Sequence, residues 1–281
     1  MDAVYHAGEL LVQDRTGVRE RAARIGGSVR DVIPPVAAEF LAQRRFVVVA
    51  AADPAGRPWV ALLVGPPGFA RAVGPHSVRL DAAPAPGDPL SALARAGHAG
   101  LLAIDLGTRR RMRLNGRIAA AEGAIVLHAD QVYSNCPKHI QPREADASLA
   151  TTHSAGSPSS GLTDAQRVWI RRTDAFFVGT VNPGEGADAS HRGGPAGFVQ
   201  VDGNRLTWPE YAGNMMYNTQ GNIVAYPRAG LLVPDFAGGR MLLLTGAARI
   251  DWDARRAAAV PGAQRLIEVD VEEAVELSPT A

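Results

Sequence analysis

Short apolar runs, many of them β-branched, alternate with turn residues along most of the chain. Residues 8–26 place Leu10, Leu11, Val18 and Ala22 among charged residues, which predicts an amphipathic helix. Ile33, Pro34 and Pro35 break that pattern, and a short helix through Phe40 and Leu41 is expected next. Phe46-Val-Val-Val-Ala-Ala reads as a buried strand. Asp53-Pro-Ala-Gly56 is a hairpin turn, and Trp59 to Val64 its partner strand. Val78 to Leu80 is a further short strand. Asp88-Pro-Leu predicts a helix start, because Asp caps well and Pro suits the first helical position. Gly100 to Asp105 and Arg111 to Ile118 form a second predicted hairpin.

The same order then recurs. Ala99-Gly-Leu-Leu-Ala-Ile-Asp105 matches Ala229-Gly-Leu-Leu-Val-Pro-Asp235, and Asn115-Gly116-Arg117-Ile118 matches Thr245-Gly246-Ala-Ala-Arg249-Ile250. Phe176 to Val181 predicts a strand followed by a long glycine-rich loop. Gly197 to Val201 and Leu206 to Trp208 pair around Asp202-Gly203-Asn204. A helix is expected near Asn218, and Leu231 with Met241 to Leu244 gives the last hairpin. Shared landmarks in one order point to two copies of a structural unit. The expected division is residues 1–150 and 151–281, packed as a pseudo-dimer with any cleft between the copies. Short strands with a helix inserted per copy imply a mainly β, α+β chain of two small barrels with short flanking helices. Thr151 to Gly161 is small and polar and reads as a mobile linker, and the tail after about Glu273 shows no clear pattern.

Composition narrows the function classes. A length of 281 residues with 46% apolar positions supports substantial cores. A net charge of +1 implies no overall pull toward nucleic acid or membrane, and no apolar run approaches the roughly 20 residues of a membrane helix. The single cysteine, Cys136, excludes an internal disulfide. The N-terminus lacks a basic start followed by an apolar stretch, so no signal peptide and a cytoplasmic location are expected. His128, Cys136, His139 and His153 show none of the compact spacings of a zinc centre, so no metal is expected.

The copies differ in polarity, and the difference marks a candidate site. Pro58 to Gly68 is an apolar strand entering a turn, whereas Asp188-Ala-Ser-His-Arg-Gly-Gly concentrates Asp188, Ser190, His191 and Arg192. Ala82 to Pro86 is featureless, whereas Glu210-Tyr-Ala-Gly213-Asn214-Met-Met-Tyr-Asn218-Thr-Gln-Gly-Asn222 carries three Asn and a Thr at a helix start. A helix N-terminus beside a glycine favours phosphate, and Arg192 would supply the fork. In the alternative, Asn218 simply caps the helix. Asn135 is placed to cap a helix starting at Pro137, with Lys138 and His139 in its first turn beside a small buried thiol at Cys136. Arg109, Arg111 and Arg113 would share one face of an extended strand, either solvated or meeting phosphate or a partner subunit.

Taken together, Gly56-Arg-Pro-Trp59, Gly65-Pro-Pro-Gly-Phe69, Arg109-Arg-Arg-Met-Arg-Leu-Asn-Gly116, Asn135-Cys-Pro-Lys138, Asp188-Ala-Ser-His-Arg-Gly-Gly194 and Gly213-Asn214 with Asn218-Thr-Gln-Gly-Asn222 resemble the pyridoxamine 5'-phosphate oxidase-related flavin-nucleotide-binding proteins. The resemblance runs from Tyr5-His-Ala-Gly-Glu9 to Asp251-Trp252. It implies a split β-barrel that binds FMN between two barrels, usually as a homodimer, and an oxidoreductase acting on a small molecule. It places Ser190 and Arg192 at the flavin or its phosphate, with Gly213, Asn214 and Asn218 around the phosphate loop; Asp188, His191 and Lys138 complete the expected cofactor-binding set from their positions in the polar segments. His191, Lys138 and Tyr211 are the candidates for proton transfer. The chain departs from the strict oxidase: Gly213-Asn214-Met215 stands about where that enzyme has its serine-arginine-lysine phosphate grip, and the basic pyridoxal-phosphate grip has no clear counterpart. Two alternatives remain open on the same barrel. One is a flavin- or haem-binding module without turnover, with His139 or His191 as axial ligand. The other is a deazaflavin-dependent reductase.

Overall fold

The computed structural model describes residues 4–121, 124–134, 137–143 and 153–280. Seven strands form the first sheet: β1 (Phe46–Ala52), β2 (Pro58–Val64), β3 (Ala70–Ala72), β4 (Ser77–Leu80), β5 (His98–Asp105), β6 (Arg110–Ala121) and β7 (Ala124–Ser134). The short β8 (His153–Ala155) joins the second sheet. That sheet contains β9 (Ala175–Asn182), β10 (Gly186–Gly193), β11 (Gln200–Asp202), β12 (Arg205–Tyr211), β13 (Arg228–Pro234), β14 (Met241–Asp251) and β15 (Ala263–Pro279).

The spatial orders are β2-β1-β5-β6-β7-β4-β3 and β10-β9-β13-β14-β15-β12-β11, all antiparallel. Replacing each strand of the first list by its counterpart gives the second. Even the irregularity repeats, with a register shift at Asn115/Gly116 in β6 and at Thr245/Gly246 in β14. The chain is mainly β, with two split-barrel-like units of one topology.

The copies pack through β1, β2 and β5 against β9, β10 and β13. This explains why β1 and β9 are buried along nearly their whole length: one face serves its own barrel and the other serves the neighbour. The repeated Ala-Gly-Leu-Leu motif has the same cause. A Cβ at Gly100 would lie 2.6 Å from Ala189 N, and one at Gly230 would lie 2.5 Å from Pro58 O. Each glycine lets the opposite copy's strand backbone pass closely. One apolar cluster extends across the junction, joining Leu62, Leu63 and Leu102 to Leu232, Met241 and Leu243.

The helices are α1 (Ala7–Arg15), α2 (Arg19–Gly26), α3 (Pro35–Ala42), α4 (Asp164–Arg172), α5 (Asn218–Ala225) and α6 (Ala254–Ala258). No helix among the described residues is long and apolar enough to cross a membrane.

Several local expectations are corrected. The predicted helix over 8–26 is two helices, because Gly17 turns at φ 67° between them. No α-helix follows Asp88. That segment is turns and a single 3-10 turn at Leu93–Arg95, with Asp88 buried and accepting Leu90 N–H at 2.7 Å. The glycine-rich loop after β9 is strand β10. Within the expected linker, His153–Ala155 pairs with β15 and Ser159 bridges Ala274, while Thr151 and Thr152 lie outside the described residues. The patternless tail is the end of β15, the longest strand in the chain.

Candidate functional site

A cleft of about 150 Å³ opens where β10, β12 and the start of α5 of the second copy face β5 and β6 of the first. Side chains of β10 alternate between two surroundings. Asp188, Ser190 and Arg192 reach α5 and β12, while Ala189 joins the cross-copy apolar cluster and His191 sits edge-on to Phe177.

Asp188 makes the central tie. It forms a buried ion pair with Arg113 of β6 and accepts hydrogen bonds from Ser190 Oγ and Thr219 Oγ1, both at 3.1 Å. The Arg113 guanidinium lies 5.1 Å from the Tyr133 ring, and burial lowers its pKa. Asp188 therefore stands behind the cleft wall, while Ser190, His191 and Arg192 line it.

Arg192 is also engaged. Its Nε donates to Glu210 Oε1 at 2.6 Å, and Nη1 donates to the His191 carbonyl at 3.2 Å. Glu210 accepts further bonds from Trp208 Nε1 at 3.2 Å and Gln220 Nε2 at 3.0 Å, and Gln220 in turn accepts from Arg265. Arg192 thus enters the cleft as half of an ion pair. The sequence reading missed Glu210, although Trp208 and Glu210 lie two apart on one strand and so share a face.

His191 is 5% exposed, and neither ring nitrogen has a hydrogen-bond partner among the described residues. Burial pushes its pKa well down, and the charges of Arg111, Arg192, Arg143 and His139 push the same way. A neutral imidazole keeps one donor and one acceptor, and in this cleft both are unspent.

Lys138 and His139 lie on the exposed rim. They form a turn, not the first turn of a helix: His139 has φ 63°, and no helix appears in 137–143. Asn135 and Cys136 lie outside the described residues. The His139 ring stacks on Tyr211 at 4.8 Å. Its carbonyl sits 2.0 Å from where a Cβ on Gly193 would be, so this crossing requires glycine. Arg111 and Arg113 line the cleft, but Arg109 is exposed in the β5–β6 turn at φ 59° and does not share their face. Arg113 is buried against the second copy of the same chain.

Gly213, Asn214 and Asn218 all line the cleft. Asn214 Oδ1 accepts the Met216 N–H at 3.1 Å and closes the loop before α5. Asn218 is not a cap. Tyr217 precedes the helix at φ 63° without a side-chain cap, and Asn218 Nδ2 instead donates to Glu9 Oε1 at 2.6 Å. Helix α1 therefore backs the site, a role not read from the sequence. Gly8 crosses Gly221 with no room for a Cβ on either side. The ring of His6 bonds Asn222 at 2.9 Å, and Gln13 Nε2 donates to Met216 O at 3.2 Å.

Burial pushes the Glu9 carboxyl up to about 7, against the lowering pull of His6 N–H, Asn218 and Arg113. The fold then favours protonated Glu9. Its contribution is full below about 4.5 and is lost as pH rises through about 7. At about 1.36 kcal/mol per pKa unit the loss is on the order of 3 kcal/mol. Glu9→Gln is expected to flatten the fall in stability between about pH 5 and pH 7 in urea denaturation. Asp88, also raised to about 7 by burial, leaves a residual slope of the same sign. An unchanged pH profile in Glu9→Gln would contradict this.

No curated protein sequence matches the chain. Among solved structures, HupZ of Group A Streptococcus is similar at 17% identity over 40% of this chain and 90% of its own, with a TM-score of 0.32. A protein of Lactobacillus delbrueckii named for pyridoxamine 5'-phosphate oxidase is similar at 19% identity over 41% and 94%, with a TM-score of 0.33. An F420 reductase is similar at 16% identity over 43% and 97%, with a TM-score of 0.29. The model of the family described as pyridoxamine 5'-phosphate oxidase matches residues 162–278, a range that contains β9 to β14, α5 and all but the last residue of β15. Over that range, which is less than half of the chain, the second copy is similar to the pyridoxamine 5'-phosphate oxidase family.

Proposed function

We propose that the cleft binds FMN and that the protein is an FMN-dependent oxidoreductase acting on a small molecule. The supporting observation is the contrast between the two pseudo-equivalent faces. One holds Arg111, Arg113, Ser190, His191 and Arg192, with Lys138 at its rim. On the other, the counterparts of Arg111 and Arg113 are Met241 and Leu243, packed into the apolar cluster with Leu62. At these positions the first face has cations for an anionic, hydrogen-bonding ligand where the second has apolar side chains.

The donor set fits a phosphate-bearing nucleotide. Cationic side chains line the cleft with the start of α5, where no side chain caps the helix and the helix dipole favours negative charge. The orphaned ring of His191 supplies a buried polar partner. The enclosed volume is below the roughly 300–1,000 Å³ of typical ligand pockets. The exposed rim at Lys138, His139, Ala212 and Gly213 leaves the cleft open to solvent, so that volume bounds only its inner part. FMN, when bound, would supply one- and two-electron transfer. His191, Lys138 and Tyr211 line the cleft and are the groups available to hold or move a proton.

Titration of the purified protein with FMN, followed by flavin absorbance and fluorescence, is expected to saturate at one FMN per chain. Saturation at two per chain would mean that the apolar face also binds. A protein that cannot be loaded would overturn the reading.

A further inference from the structure

A second cavity, of about 500 Å³, lies away from the cleft. It is bounded by the β1–β2 turn, the segment leading into β5 and the β9–β10 turn. Its origin is a difference between the copies. In the second copy the segment before β13 is α5 followed by Tyr226, whose hydroxyl donates to Gly56 O in the first copy's β1–β2 turn at 3.2 Å. In the first copy the corresponding segment shrinks to the 3-10 turn Leu93–Arg95, and the space beside the opposite β9–β10 turn stays open.

We propose that this cavity binds a small amphipathic carboxylate, a ligand distinct from any flavin in the cleft. Leu90, Val181 and Ala187 are buried and supply an apolar interior, and the volume falls within the roughly 300–1,000 Å³ range of small-molecule sites. The polar groups have unequal availability. Asp53 is fully occupied: it accepts Ala55 N–H, Arg57 N–H, Arg57 Nε and Trp59 Nε1. Asn182 donates to Glu185. Asp88 in the adjoining turn accepts Leu90 N–H and does not line the cavity. The side chains of Arg95 and His98 line it and make no hydrogen bond, ion pair or ring contact among the described residues. Two uncommitted donors beside an apolar interior, with the one lining carboxylate already neutralised, select an apolar body ending in an anion.

Calorimetric titration with octanoate, and with octanol as the uncharged probe of equal chain length, tests this. Octanoate is expected to bind at one per chain, and octanol roughly tenfold more weakly, the scale of one charge-assisted hydrogen bond. Arg95→Gln should close most of that gap. Two variants fill the cavity: Gly186→Leu and Gly97→Leu. Both glycines line it, both would point a Cβ into open space, and neither has a positive φ. Each should abolish octanoate binding while its circular-dichroism melting curve stays close to that of the unmodified protein. No heat with octanoate, octanol binding as tight as octanoate, or octanoate binding that survives in both filled variants would overturn the proposal.

Discussion

Asp188→Ala is expected to destabilise the protein by about 3–5 kcal/mol in guanidinium denaturation. Both partners of the Arg113–Asp188 pair are buried, with side chains 8% and 2% exposed. Removing the carboxylate leaves a guanidinium in a low-dielectric junction, with the Tyr133 ring face as its nearest aromatic compensation. It also strips Ser190 and Thr219 of their shared acceptor. The pair ties β6 of one copy to β10 of the other, so the loss falls on the contact that holds the cleft together. The second copy contains the control. Arg113 pairs in register with Leu102, and the corresponding pair is Leu243 with Leu232. An apolar residue is thus tolerated at this position of the fold. Adding Arg113→Leu to Asp188→Ala should recover more than half of the loss, because no unpaired charge then remains. Single and double variants whose effects simply add would show that the two charges are not coupled.

The duplication was legible because its landmarks are imposed by packing. Gly100 and Gly230 recur since each copy must let the other's backbone pass, and such a requirement leaves a residue type at a fixed place. The polar asymmetry was legible for the converse reason: Asp188, Ser190, His191 and Arg192 replace the apolar residues a strand between two sheets ordinarily carries. That same polarity hid the strand. A run of Asp, Ser, His, Arg and Gly has weak β-propensity and no apolar alternation. It is buried only because Arg113, Thr219 and Glu210 meet it from distant parts of the chain. The helix expected at Asp88 failed through a local signal overruled by packing, since Asp-Pro also suits the turn that now holds Asp88 against Leu90 N–H. Strand β15 was missed because its register with β14 shifts near Glu273 and simple alternation stops there: Ala274 packs in the same cluster as Val269 and Val271, while its neighbours Val275 and Leu277 pack in the other. The assignment of Glu9 to the wall behind α5 depends on a contact between helices some 200 residues apart, which no local pattern announces.

Arg192→Ala is expected to raise the dissociation constant for FMN roughly 10- to 150-fold, the range for losing a charge-assisted hydrogen bond. The structure adds a second reason beyond the lost donor. Arg192 and Glu210 form a neutral pair in the cleft wall. Without the guanidinium, Glu210 keeps only Trp208 and Gln220 as donors and presents a net negative charge to any phosphate. Arg192→Lys restores the charge without the fork and should recover part of the affinity. Glu210→Gln removes the competing carboxylate and should tighten FMN binding, since the guanidinium is then released to the ligand. Riboflavin, which lacks the phosphate, separates this effect from ring contacts and should respond little to all three changes. If Arg192→Ala weakens FMN and riboflavin equally, Arg192 does not hold the phosphate. The anion must then be sought at Lys138 and along β6 at Arg111, on the opposite wall of the same cleft.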